Sequence, residues 1–410
     1  MAGVPAALAS ARAGADTLLI EKRAFPGGAG VVGLHRTLCG LYPLGGTGGP
    51  ASSESLVNGG LVREICDRLA ILSPTRRPIR LGKVEVLPYL PDQLRIVYAE
   101  LIQAEKRLRV LFGTEIQGAR FEGGRIQSVT AGPAEIHAER VVDCSGDGVI
   151  IGCHPSLHEA MPVDGRQLAG LVLQFAGMAG TDEMLPIKVP YAIRQGVDSG
   201  ALPFWLRFTT FFPGEGRDEG DCKLSVPSGT TEEAAAQTVT QLHDYLREVL
   251  PAFRAARIVN RSAEVLEREG RRLKGHYTLT EADILASRRF PDAVARSAWP
   301  IELWDPERGP TYRYPESGGV CEIPLRCLKA AAASNLFCAG RCISATHEAL
   351  AATRVMGTCM ALGEAAGREA AGETEGGRMK AEGGRLKAEG GRLKTEGGRL
   401  KTEGERGKDA

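Results

Sequence analysis

The chain has 410 residues, 43% hydrophobic and 25% charged, enough to bury a substantial core and to divide into two or three domains. Fifty-one Lys plus Arg against 50 Asp plus Glu leave a formal charge of +1, which gives no net pull toward nucleic acid or anionic lipid, and 5% aromatic residues are too few for single-strand stacking platforms. No run approaches the roughly 18–20 apolar residues that span a bilayer, since the longest candidate, Leu168 to Gly180, is broken by Gln174.

In chain order, Ala6, Ala7, Leu8 and Ala11 line a small-residue helical face, Gly14 stops the helix, and a strand over Thr17–Ile20 leads into Glu21. This is the second half of a dinucleotide-binding βαβ unit. Gly3 fits the third glycine of Gly-x-Gly-x-x-Gly, Ala7 and Ala11 the small positions that pack helix on sheet, and Glu21 the ribose acceptor. Ordinary α/β packing accounts for the same helix and strand. The first strand and two glycines of the pattern are lacking, so about 10 residues upstream of Met1, a strand of about 5–6 plus the motif positions before Gly3, are expected to complete it. After Lys22, Pro26-Gly27-Gly28-Ala29-Gly30 forms a second loop in which backbone amides can approach a pyrophosphate.

A helix is predicted over Asp92–Lys106, then strands over Arg109–Phe112, Ile116–Phe121 and Ile126–Thr130 with Gly123-Gly124 as a hairpin turn, and a buried strand Arg140–Cys144 running into Ser145-Gly146-Asp147-Gly148. From 155 to 325 the pattern changes to an aromatic strand Phe204–Phe212, an amphipathic helix Glu232–Leu250 and Pro-punctuated loops around Trp299–Pro315, which reads as an inserted α+β substrate or cap domain. Asn335–Ala339 returns to the first strand type and precedes a helix over Thr353–Ala371. The expected division is therefore 1–154 and 326–372 for a discontinuous α/β Rossmann-like domain, 155–325 for the insert, and 373–410 for a tail. In that tail a seven-residue repeat starting at Glu375 returns at Glu382, Glu389 and Glu396, with one large apolar residue per repeat and two glycines. A coiled-coil seam needs two such apolar positions, and each glycine costs about 1 kcal/mol in a helix, so a disordered, charge-balanced tail is expected.

The ten cysteines show no Cys-x-x-Cys pair, several such as Cys144 and Cys338 lie in apolar runs, Cys39 and Cys144 fall near the expected cofactor loops, and no basic residue precedes Arg12 as a secretory leader requires. Reduced, buried thiols in a cytoplasmic enzyme are expected. No metal is expected either: His154 and His158 stand four apart after Cys153, but Pro155 opposes a helix there and no second ligand cluster follows.

The segment Asn335-Leu-Phe-Cys-Ala-Gly-Arg-Cys-Ile-Ser-Ala-Thr-His-Glu-Ala349 resembles FAD-dependent oxidoreductases with a glutathione-reductase-like flavin-binding fold. The likeness continues through Arg354-Val-Met-Gly-Thr-Cys-Met-Ala-Leu-Gly-Glu-Ala-Ala-Gly367, is supported by Thr278–Asp283, Arg288–Asp292 and Cys321–Cys327, and spans residues 1 to 372. The resemblance implies FAD as cofactor, with Glu21, followed by Lys22, at the adenosine ribose, Gly3, Gly28 and Ala29 at the pyrophosphate, and Ile116 presenting backbone to the adenine. It further implies that Gly146 and Asp147 form the second glycine turn, that Gly340 and Arg341 lie by the ribityl–pyrophosphate region, and that Val355 and Met356 present amides toward the flavin pyrimidine. A helix N-terminus carries roughly half a positive charge, which favours the negative charge of a reduced flavin.

Two catalytic candidates follow. His347 lies in a stretch expected beside the flavin and is a residue type suited to proton transfer, although a structural histidine reads the same way. Arg272, clustered with Arg271, His276 and Tyr277, can bind an anionic substrate through bidentate contacts or simply cap a solvated helix end. The expected activity is hydride transfer between a small organic substrate and flavin N5. An NAD-dependent dehydrogenase, whose ribose Glu21 suits equally, and a non-catalytic remnant that lost its cofactor with the first strand are the alternatives; without that strand the chain is expected to hold FAD poorly. Deleting 373–410 should change unfolding free energy in urea by no more than about 0.5 kcal/mol and leave activity intact, whereas lost solubility would mark the repeat as an interaction element.

Overall fold

The computed structural model describes residues 1–45, 55–159, 165–179, 182–315 and 319–372; the repeat tail expected over 373–410 lies outside them. The alanine-rich start forms α1 (Gly3–Arg12), with Val4, Ala6, Ala7, Leu8, Ala9 and Ala11 buried. Gly14, at φ +96°, turns the chain out of the helix as its amide bonds the Ala11 carbonyl at 3.0 Å, the usual use of a glycine at a helix C-terminus. The strand β1 (Thr17–Glu21) follows.

Two helices, α2 (Leu61–Leu72) and α3 (Pro91–Ala104), precede β2 (Leu108–Phe112), which pairs with β1 in parallel, Thr17 opposite Leu108 through Glu21 opposite Phe112. The hairpin β3 (Ile116–Glu122) and β4 (Arg125–Ala131) turns on Gly123 and Gly124, both at positive φ as a tight two-residue hairpin turn demands. Then comes β5 (Val141–Asp143), which pairs in parallel with a late strand, Leu336–Cys338. Gly3, at the head of α1, sits between the two parallel pairs: a Cβ there would touch Cys144 Cβ at 3.5 Å and Leu19 at 3.7 Å. Among the described residues no strand occupies the second edge of β1 or of β5.

The middle of the chain builds a four-stranded antiparallel sheet from β6 (Ala169–Ala176), β7 (Thr210–Pro213), β8 (Gly220–Val226) and β9 (Arg257–Arg261), in the order β7-β8-β6-β9. With α4 (Leu185–Asp198) and α5 (Glu232–Val249) it encloses a core of its own, including Leu171, Phe175, Ile193, Phe211, Leu242 and Phe253. Thr231 caps α5 by accepting the Ala234 amide at 3.2 Å. The apolar residues between 279 and 328 join instead the core that α1, α2 and α3 share with the C-terminal helices.

Two local expectations are corrected. Phe204–Phe208 is a short 3-10 helix, not the first half of a strand; Pro203 introduces it, and Phe204 then meets Phe208 edge to face at 6.3 Å under the Arg207 guanidinium, contacts that need helical spacing. The helix expected over Thr353–Ala371 starts three residues later, at Met356. After β10 (Ala293–Ser297), β11 (Ile301–Asp305), β12 (Gly309–Arg313), β13 (Cys321–Pro324) and β14 (Leu336–Cys338), α6 spans His347–Thr353 and α7 Met356–Ala370. Between them Val355 is extended, at φ −71° and ψ 152°. Among the described residues no helix is long and apolar enough to cross a membrane.

Packing of α1 on α7 sets the scale of the molecule. A Cβ at Gly363 would overlap the Ala2 carbonyl oxygen, and one at Gly367 the Ala6 carbonyl oxygen. The two helices thus touch backbone to backbone, with alanines on the other side of the seam. Gly367→Val should cost about 1–3 kcal/mol, the range for overpacking a closed interface. Urea denaturation tests this, and an unchanged midpoint would show that the seam can open without loss.

Candidate active site

Asp143, fully buried at the end of β5, organises the turn after it. Its carboxylate accepts the Ser145 amide at 3.0 Å and hydroxyl at 2.6 Å, and the Ile150 and Ile151 amides at 2.9 and 3.1 Å. Four donors on one carboxylate leave the turn a single shape. Within it Gly146 has φ +84°, and a Cβ there would fall 2.8 Å from Arg341 Nη2. Arg341 follows Gly340 after β14; its Nη2 donates to Asp147 at 2.8 Å and its Nη1 to the Glu267 carbonyl at 2.6 Å. Gly146, Asp147, Gly340 and Arg341, far apart in sequence, therefore meet.

At the end of β1, Glu21 Oε1 accepts the Arg23 amide at 2.9 Å, and the Glu21 carbonyl accepts the Thr114 amide at 3.1 Å, which sets Ile116 two residues beyond. The other carboxylate oxygen has no partner among the described residues. Lys22 turns away to Glu264 at 2.9 Å, so its ammonium is engaged at the surface rather than at the glycine loop. Gly28, at φ +49°, faces the head of α1: its Cβ would fall 3.1 Å from the Met1 backbone nitrogen. Gly3, Gly28 and Ala29 thus converge on one helix N-terminus, whose first amides have no intrahelical acceptor.

The start of α7 is held by a strap that precedes α2, residues 34–45. The Gly357 amide donates to the Cys39 carbonyl at 2.9 Å. Beside it the Thr358 hydroxyl is buried without a partner, and Val355 and Met356 form the helix entry. Burial, the largest influence, pushes the Cys39 thiol up to about 11, so it stays protonated and unreactive at neutral pH.

His347 and Arg272 are brought together by a residue the sequence reading passed over. Glu269, its side chain fully buried, accepts His347 Nδ1–H at 2.8 Å and the Gln167 amide at 3.0 Å, with Arg272 Nη1 at 3.9 Å. Burial pushes this carboxyl up, but the hydrogen bonds and charge of His347, helped by Gln167, outweigh it and hold Glu269 below the usual carboxylate range. The other members of the basic cluster go elsewhere: Arg271 reaches the Asp147 carbonyl at 3.5 Å, and Tyr277 donates to Asp283 at 2.8 Å in the capping box that starts Glu281–Leu285. Gln167 also links outward, its side-chain oxygen accepting the Trp304 amide at 3.1 Å and Arg354 Nη2 at 3.4 Å. No local pattern marks Glu269 or Gln167, because their partners are 78 and 187 positions away.

The chain belongs to the FAD-dependent oxidoreductase family, whose model matches residues 1–153 and 196–382. None of the curated proteins matches it. Similar solved structures include a geranylgeranyl bacteriochlorophyll reductase-like protein from Thermoplasma acidophilum, 11% identical, covering 90% of this chain and 74% of that one at a TM-score of 0.40. A probable FAD-dependent monooxygenase from Pseudomonas aeruginosa is 14% identical over 90% of this chain and 82% of its own at 0.39, and a flavin-dependent brominase is 12% identical over 93% and 78% at 0.40. The protein is an FAD-dependent enzyme. The residues present suit that cofactor: an acceptor oxygen open on Glu21 and an orphaned Thr358 hydroxyl at the start of α7.

Because Glu269 is held low, its contribution to stability is complete above the unfolded carboxylate value of about 4.3 and is lost as pH falls through its lower native value. Glu269→Gln should therefore be less stable near neutrality and lose less on acidification from about pH 6 to pH 3 than the parent. Urea titrations across that range check it, with parallel curves as the contrary result.

Proposed function

We propose that the protein is a cytoplasmic enzyme that passes a hydride between a small organic substrate and FAD, with residues 1–154 and 326–372 as the cofactor half and 155–325 as the substrate half. Bound FAD supplies the two-electron acceptor at N5. In this reading Glu21 accepts the ribose hydroxyls through its open oxygen, the amides around Gly3, Gly28 and Ala29 take the pyrophosphate, and Ile116 offers backbone to the adenine. Gly146, Asp147, Gly340 and Arg341 line the middle of the cofactor, and the amides at Val355 and Met356 face the flavin pyrimidine, where the helix end favours developing negative charge. Lys22 contributes charge near the ribose at most, because its ammonium is committed to Glu264.

The observation that carries the reading is the Glu269–His347 pair. With Nδ1–H given to a buried carboxylate, Nε2 is the nitrogen left to take or return a proton, and it has no partner among the described residues. Glu269 is a positioning residue that fixes the tautomer, and Arg272 balances its buried charge from 3.9 Å. Gln167 ties this pair to Arg354, the residue before the α7 entry.

FAD titrations by flavin fluorescence test the assignment. Glu21→Ala should weaken binding by about 1.5–3 kcal/mol, the range for a hydrogen bond to a charged group, while Lys22→Ala should leave it nearly unchanged. Equal FAD retention in Glu21→Ala and the parent would remove Glu21 from the ribose site, and tighter binding of NAD than of FAD would overturn the cofactor assignment.

A further inference from the structure

Four basic side chains meet in a recess bordered by the strap before α2, by β8 and by β11: His35, Lys223, Arg268 and Arg354. Each keeps some solvent contact, yet each is strongly desolvated. Burial first, then the charges of Lys223, Arg268 and Arg354, hold His35 down to about 3; burial first, then Arg354, holds Arg268 down to about 9; and burial lowers Lys223 and Arg354 as well. The four therefore form one partly buried cluster, two of them along β11: Arg268 over the Trp304 ring and Arg354 at the Glu302 carbonyl.

The acids nearby are committed to other donors. Glu302 receives Trp304 Nε1–H on one oxygen and Trp299 Nε1–H on the other, both at 2.8 Å. Asp221 is clamped by Arg36, Glu267 accepts the Ser228 hydroxyl and the Gly229 amide at 2.7 Å each, and Glu269 holds His347. Among the described residues no carboxylate forms an ion pair with Lys223, Arg268 or Arg354. Lys223 Nζ sits 4.9 Å from the Phe212 ring centroid with no hydrogen-bond acceptor, and Arg354 Nε is buried without a partner although its Nη2 reaches the Glu302 carbonyl at 3.1 Å. Arg268 lies over the Trp304 ring at 4.3 Å and donates to the Leu168 carbonyl. Asp221 and Glu269 are spent on Arg36 and His347, so against the three cations Lys223, Arg268 and Arg354 stand two carboxylates, Glu302 and Glu267, each held by neutral donors. A surplus of desolvated positive charge costs free energy unless an anion offsets it.

We propose that this recess binds the carboxylate of a small organic anion, with Lys223 and Arg354 as its contacts and the Arg268–Trp304 stack as its wall. Gln167 joins the recess to the Glu269–His347 pair, so the bound anion is the substrate; that role rests on the oxidoreductase reading, whereas the binding itself rests on the cations. Arg272, the anion binder expected from sequence, is engaged with Glu269 instead.

Calorimetric titration of FAD-loaded and FAD-free protein with benzoate and succinate tests this, with benzamide as the neutral control and the flavin absorbance band followed in the loaded form. Both carboxylates should bind and benzamide should not; Lys223→Met and, separately, Arg354→Lys should weaken carboxylate binding by about tenfold or more, and Arg271→Ala should not. Arg354→Lys keeps a cation, so a fold defect and a lost contact are told apart by its thermal midpoint. Equal binding of benzamide and benzoate, or undiminished affinity in Lys223→Met, overturns the proposal. A preparation that takes up no FAD but still binds carboxylates refutes the oxidoreductase reading alone; one that loads FAD and gives neither heat nor a flavin shift with either carboxylate refutes the anion site alone.

Discussion

The backbone contact between α1 and α7 is the constraint on which the remaining geometry hangs. With no side chain at Gly363 or Gly367, the separation of the two helices is set by main-chain atoms meeting main-chain atoms, an interface with one solution rather than a family of rotamer compromises. Each helix then delivers one end to the site. The head of α1 meets the Gly28 loop, and the head of α7 meets the strap through the Gly357–Cys39 hydrogen bond. A shift along the seam would move both ends together, so the spacing between the Gly28 loop and the Val355–Met356 entry is inherited from helix packing.

The stretch from Glu264 to Arg272 does the corresponding work for charge. Its residues alternate between two duties: Glu264 engages Lys22 and Arg23, Glu267 offers its carbonyl to Arg341, Arg268 faces the cationic recess, and Glu269 holds His347. One segment thereby fixes an edge of the proposed cofactor groove, the Glu269–His347 pair and the wall of the cationic recess. Neutralising Glu269, fully buried against His347, would be a more severe change than losing the partly exposed Lys22–Glu264 pair.

What could be read from the sequence was whatever is local. Gly14, Gly123 and Gly124 announce turns because their positive φ is a property of the residue itself, and the two parallel strands around Ser145-Gly146 and Ala339-Gly340 show as apolar runs closed by glycine. His347 and Arg272 were visible as chemistry, but the residue that unites them was not, since a buried glutamate has no periodic signature and its partner lies on a helix formed much later in the chain. Lys223 was hidden for a related reason: on β8 it is an ordinary polar position of an alternating strand until the tertiary fold sets it beside Arg268. The Phe204–Phe212 misreading has the opposite origin, because aromatic content resembles a strand while Pro203 and the Phe204–Phe208 contact select a tight helix.

The unpaired edges of β1 and β5 have a practical consequence. Each strand spends one row of amides and carbonyls on its parallel neighbour and, among the described residues, leaves the other row without a strand. Such a row is a template for any extended peptide of matching length. A segment laid against either row would border Gly3 at the head of α1, which lies between the two pairs, so edge pairing and the glycine loop share one boundary.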